Sequence, residues 1–321
     1  MRSNVIMLTL VAVLCRPAGA HAIGTRSISP ACAALTRLMC DVEKTVMLYP
    51  GSPQMPPLVQ VPGGELLLEA IVKPPDADVL GQWEESRGNT DADSSWGSVW
   101  PAALNLAAFL TDHSDLVRGQ RVAELGSGLA VAGLTAAKLG ASTVTLVDRE
   151  AFALHCAMST AQVCGLPTGP VPDNADEATA FYDGESSPTS VVSASRADWA
   201  ALAGTGLEVD VVLASEILYE QLEPSAVTAI ACAAATLLSS GGTLLVADPA
   251  QGRVGGARTA LTEALGRTGA VVSEQPIAAP PAGDAWYSLR AGDGMSSIAG
   301  PDEAVVLLRA DFAGPPDLDA L

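Results

Sequence analysis

The residues of this chain whose types and spacing suit chemistry gather around one turn, Gly126-Ser127-Gly128. The turn follows Val122–Leu125, an apolar run broken only by Glu124. A second apolar run, Val144–Val147, ends at Asp148, twenty residues beyond Gly128. Glycines leaving a strand let backbone approach a ligand, and an acid closing the next strand takes ribose hydroxyls. The arrangement suits a cofactor containing adenosine. Further on, Leu213-Ala214-Ser215-Glu216-Ile217-Leu218-Tyr219 places an acid and a tyrosine just past another buried run.

The charges narrow the choice of cofactor. A dinucleotide fingerprint requires a third glycine where Val131 stands, and a phosphate-binding loop requires a Gly-Lys-Ser/Thr step that is missing. No Lys or Arg lies between Gly126 and Ala137. A pyrophosphate gains nothing from Glu124 and Asp148. S-adenosylmethionine carries a sulfonium and an ammonium and no phosphate, so an acid-rimmed glycine turn favours it. A strand-turn-helix unit with two glycines also occurs as plain scaffold, so the turn alone leaves that alternative open.

The elements that must hold these residues read as alternating strands and helices. Strand-like runs fall at Val122–Leu125, Val144–Val147, Val209–Leu213, Thr243–Ala247 and Val305–Arg309, with a further one opening at Val271-Val272. Helical stretches fall between them, at Leu129–Leu139, from Glu150 to about Cys164, at Ala226–Leu238 and at Ala257–Leu265. Alternation of this kind predicts an α/β, doubly wound, mostly parallel sheet, with ligands beyond the carboxyl ends of its strands. Before it, residues 41–99 form a leader in which Leu58–Val61 and Glu65–Val72 flank Pro62-Gly63-Gly64, a hairpin signal. Pro101 opens a helix running to about Leu110, with Trp100 at its mouth. The domain is placed at residues 100–310, with exposed insertions at 167–190 and 278–300 and a tail at 311–321.

Composition excludes other classes. The net charge is −19 over 321 residues. Four of the 17 basic residues and none of the 36 acids lie in residues 1–40, so the remainder carries 13 basic against 36 acidic side chains. Such a surface repels a nucleic-acid backbone and favours a cationic partner such as a Lys-rich segment, though solubility alone also accounts for it. Six scattered cysteines with no C-x-x-C support neither a zinc site nor a dithiol, and no metal is expected. Three histidines and no G-x-S-x-G elbow argue against a hydrolase.

Residues 1–22 have a secretory-signal pattern whose apolar run is too short to span a membrane. Residues 23–40 are acid-poor with Arg and Ser, as in a transit segment. Signal plus transit predicts delivery to a plastid; mitochondrial import and secretion are the alternatives. No membrane span and a monomer are expected.

With these motifs in order, the chain resembles the class I, seven-β-strand S-adenosylmethionine-dependent methyltransferases, and within them the methyltransferase-16 group, which contains many protein-lysine methyltransferases. The motifs are Trp100-Pro101, Glu124-Leu125-Gly126-Ser127-Gly128, Asp148, Asp198-Trp199 and the run Leu213–Tyr219. The resemblance implies that Gly126, Ser127 and Gly128 line the methionine part of the cofactor, beside the acidic rim that the charges around the turn assign to Glu124. It implies that Asp148 takes the ribose, that Asp198 and Trp199 flank the adenine, and that Ser215 touches the cofactor edge. Trp100 closes the pocket from the leader side, and Glu216 and Tyr219 stand beside the acceptor amine. In this chain Ala130 replaces the usual third glycine, Glu216 the commoner Asp, and Cys164 a common Asn. The expected function is methyl transfer to a protein lysine. A small-molecule N- or O-methyltransferase and a non-catalytic cofactor-binding module remain as alternatives.

Overall fold

The structure, a computed structural model, describes residues 58–60, 68, 70–72, 85, 94–169, 191–202, 206–219, 224–252, 254–278 and 304–321. The signal-like and transit-like segments, the turn at 62–64, and most of the insertions at 167–190 and 278–300 lie outside these residues.

Seven strands form one sheet. In chain order they are β3 (Arg121–Leu125), β4 (Thr143–Asp148), β5 (Val192–Arg196), β6 (Val211–Ser215), β7 (Gly242–Pro249), β8 (Val271–Ile277) and β9 (Val305–Phe312). Across the sheet the order is β5-β4-β3-β6-β7-β9-β8. The pairs from β5 through β7 are parallel, whereas β9 runs antiparallel to both β7 and β8. This is the expected doubly wound, mostly parallel sheet. Its chain order reverses between β3 and β6, and that switch point is where such sheets bind ligands.

Helices α1 (Pro101–Asp112), α2 (Val131–Lys138) and α3 (Ala151–Val163) cover one face, and α4 (Pro224–Leu237) and α5 (Ala257–Arg267) the other. Strand parity assigns the two faces. Val122, Val144 and Leu146 point into the first apolar layer with Leu106, Leu134 and Leu154, while Ala123, Leu125 and Val147 point into the second with Ile230, Leu237 and Leu261. Helix α2 starts at Val131, two residues later than its sequence suggests, because Ala130 adopts a left-handed backbone (φ 58°).

The leader pairs β1 (Leu58–Gln60) with β2 (Ala70–Val72) antiparallel, in a register centred on residue 65 and not on the Pro62-Gly63-Gly64 turn. Leu68, Ile71 and Val72 are buried in the first layer, and the Val72 amide donates to Thr160 Oγ1 on α3 at 2.9 Å. The leader is thereby attached to the sheet through α3. Among the described residues no helix is long and apolar enough to cross a membrane.

Candidate functional site

A cleft of about 440 Å³ opens beyond the carboxyl ends of β3, β4, β5 and β6. Its size is that of a small-molecule or cofactor site. Gly126, Ser127 and Gly128 form its floor, and Asp148, Asp198, Trp199, Ser215, Glu216, Tyr219 and Trp100 also line it. Ten of the eleven residues singled out in the sequence thus meet around one space.

Glu124 is the exception and corrects the expectation that it rims the cofactor. It shares strand parity with Val122, so its side chain points beneath α2, where it is 1% exposed and absent from the cleft lining. Its Oε2 accepts from the Gly133 amide at 2.8 Å. Burial pushes its carboxyl up to about 8, against the pull of the Gly133 amide and with the help of nearby Asp148. Glu124 therefore braces the helix behind the loop. Gly133 makes this possible, because a Cβ there would stand 2.6 Å from Glu124 Oε2 and 2.9 Å from Leu146 Cδ2. The close-packing glycine of this βα unit is Gly133, and the sequence reading had not assigned it a role.

The glycine turn is shaped for backbone approach. Gly126 and Gly128 both have positive φ, at 60° and 49°. A side chain on Gly126 would press on Ile217 Cγ2 at 3.0 Å and lie 3.7 Å from Trp199 Cζ2. Asp148 ties the turn to the next strand: its Oδ2 accepts from the Gly128 amide at 2.8 Å and its Oδ1 from the Glu150 amide at 2.9 Å. Burial raises its pKa above the ordinary carboxylate value, while those two amides and Arg149 pull it down. Asp148 thus organises the loop as well as facing the cleft.

At the far side, Asp198 Oδ1 accepts from the Ala200 amide at 3.1 Å, capping the 3-10 turn Trp199–Ala201 that presents Trp199. The leader-side wall is the 3-10 turn Ser94–Gly97 together with the first turn of α1. Trp100 Nε1 donates to Ser95 O at 2.9 Å. Trp96 packs edge-on against Phe152 of α3, ring centroids 5.2 Å apart, and lines the cleft. The sequence reading missed Trp96, although a second tryptophan four residues before Trp100 was the available signal.

S-adenosylmethionine fits these residues. Among the described residues Ser127 Oγ, buried at the floor, finds no hydrogen-bond partner, as suits a polar atom that a ligand would satisfy. Among the described residues the lining holds four acids, Asp148, Glu150, Asp198 and Glu216, against one cation, Arg149, which suits a cationic ligand and opposes a phosphate.

The lysine methyltransferase family model matches residues 83–168, which contain the leader-side wall, the glycine turn and Asp148. The matched segment is about a quarter of the chain, and the sheet it joins has seven strands. The chain is 35% identical over 91 residues to the electron transfer flavoprotein beta subunit lysine methyltransferase of Xenopus laevis, covering 24% of this chain and 37% of that one. It is 48% identical over 52 residues to protein N-lysine methyltransferase METTL21A of Danio rerio, covering 16% and 23%. It is 40% identical over 68 residues to histone-arginine methyltransferase METTL23 of Rattus norvegicus, covering 21% and 29%. These matches span between about a quarter and two fifths of the relatives' lengths.

Proposed function

We propose that the protein is an S-adenosylmethionine-dependent N-methyltransferase whose acceptor is a lysine side chain of another protein. The observation that carries this reading is the placement of Glu216 and Tyr219 in the same cleft as the glycine turn and Asp148. Two of the partial relatives described above are named as lysine methyltransferases, and the chain's acidity suits a lysine in a basic segment.

When bound, the cofactor supplies an electrophilic methyl group on a sulfonium. The protein must bring a neutral amine in line with it, at about 3 Å. A free lysine has a pKa of about 10.4 and arrives protonated. The Glu216 carboxylate attracts and orients that ammonium at the mouth of the cleft. Trp100 and Tyr219 exclude water around the side chain, and this desolvation favours the neutral amine once its proton leaves to solvent. Asp148 fixes the glycine turn through Gly128 while presenting its carboxylate to the ribose side.

Calorimetric titration of the full chain with S-adenosylmethionine and with NAD tests the cofactor. Micromolar binding of the first alone, lost in Asp148→Ala, is expected. Binding of NAD, or of neither, overturns the reading. Labelled methyl transfer to a pool of basic proteins, followed by hydrolysis, then identifies the acceptor. Methyl-lysine supports the proposal, and it should disappear in Glu216→Gln with cofactor binding retained. Methyl-arginine, a methylated small molecule, or binding without transfer replaces it.

A further inference from the structure

Glu216 is held by a contact that links the two halves of the cleft. Helix α1 begins without local help: Trp100 occupies its N-cap with no side-chain hydrogen bond to the helix, and Pro101 has no N–H. The next amides divide in an instructive way. Those of Ala103 and Leu104 both reach Trp100 O, at 3.1 and 3.4 Å. That of Ala102 donates instead to Glu216 Oε1, at 2.8 Å, across 114 residues of chain. The acceptor is an acid at a helix N-terminus, where the exposed amides and the helix dipole both favour negative charge.

The backbone of Glu216 is arranged to make this reach. Its own amide donates to Ala247 O on β7, extending the β6 ladder by one residue. There the chain takes φ 51°, a left-handed conformation unfavourable for a non-glycine residue. Glu216 is 8% exposed and lines the cleft, as do Trp100 and Ala103 on either side of its Ala102 partner. Whatever fixes the Ala102 amide therefore fixes the leader-side wall.

We propose that Glu216 is a positioning residue that sets the leader-side wall of the cofactor cleft by gripping the Ala102 amide, and that the length of its side chain is required for the grip. In the resembled family an aspartate is commoner at this position, and Glu216 carries one more methylene with which to reach Ala102. The inference rests on the cofactor reading above and adds a second task to the residue given the acceptor. Charge serves the acceptor, whereas reach serves the wall.

Three substitutions in the full chain separate the two tasks. Glu216→Gln keeps the acceptor oxygen at full reach and removes the charge. Glu216→Asp keeps the charge and shortens the reach, and Glu216→Ala removes both. Amide hydrogen exchange resolved over 100–106 reads the grip directly, and titration with S-adenosylmethionine reads the wall. The expected result in Glu216→Gln is retained cofactor affinity and most of the protection at Ala102, with only the added strength of a charged acceptor lost. In Glu216→Asp and Glu216→Ala, protection falls and the dissociation constant rises, each roughly tenfold or more, as for loss of a hydrogen bond to a charged group. Exchange in β3 and β4 reports global unfolding in the same samples. If the Asp and Ala variants unfold, the wild-type chain decides: protection of the Ala102 amide, which donates to Glu216 and not within α1, supports the grip, and exchange at the unprotected rate overturns it. Wild-type protection in folded Glu216→Asp also overturns it. Failure of the wild-type chain to bind S-adenosylmethionine sinks the cofactor reading, while the exchange results still decide whether Glu216 grips the helix.

Discussion

On the glycine-turn wall, Glu124 reaches from β3 to the amide of the third residue of α2; on the leader-side wall, Glu216 reaches from the end of β6 to the amide of the second residue of α1, its first N–H. Each wall also contains a non-glycine residue in left-handed conformation, Ala130 at φ 58° and Glu216 at φ 51°. The contacts match in length, both 2.8 Å. They differ in what lies beyond the carboxylate. Glu124 is enclosed by the apolar layer under α2, whereas Glu216 opens on the cleft. The same pairing of an acid with a helix start thus gives a sealed brace in one wall and a ligand-facing group in the other. Strand parity makes the difference: Glu124 lies within a strand beneath a helix, and Glu216 lies one residue past a strand end.

The largest effect that sharpens this contrast comes from Glu124→Gln. The carboxyl of Glu124 is raised in the folded state to about 8 from 4.5, so between those values the folded chain binds more protons than the unfolded one. Its contribution to stability therefore falls as pH rises through that window. The unfolding free energy of Glu124→Gln, measured by urea denaturation relative to wild type, should grow by roughly 3 kcal/mol between pH 4.5 and 7. A pH-independent difference between the two proteins would show that Glu124 is not sealed.

Gly133→Ala comes next. Alanine favours a helix interior by about 1 kcal/mol, yet its methyl would press on Glu124 and Leu146. We expect a net loss of about 2 kcal/mol, read as a lower Tm, with partial recovery when Glu124 is shortened to Ala in the same chain. The smallest effect is that of Ala130→Gly, which relieves the left-handed backbone and should stabilise by about 1 kcal/mol. An unchanged or lower Tm would mean that the buried Ala130 methyl contributes as much packing as its backbone costs.

Much of the site was legible because it is local. Gly126, Ser127, Gly128 and Asp148 lie at strand ends marked by apolar runs, and the alternation of runs with helices placed those ends on one side of a sheet. Glu124 was misplaced because its charge was weighed without its parity; Val122 and Glu124 share a face, and that face carries α2. The grip of Glu216 on Ala102 was illegible for a different reason: no local pattern encodes a contact across 114 residues. The start of α2 was misjudged by two residues because nothing in an alanine announces a left-handed backbone.

The position of β9 has a consequence for the order of assembly. It lies between β7 and β8, and among the described residues β8 has no other neighbour in the sheet. As the chain leaves the ribosome, every strand bordering the cleft emerges before β9, and until β9 arrives β7 lacks its partner on that edge. The cleft strands can therefore pair early in synthesis, and the sheet is closed last, by a strand that contributes nothing to the cleft lining.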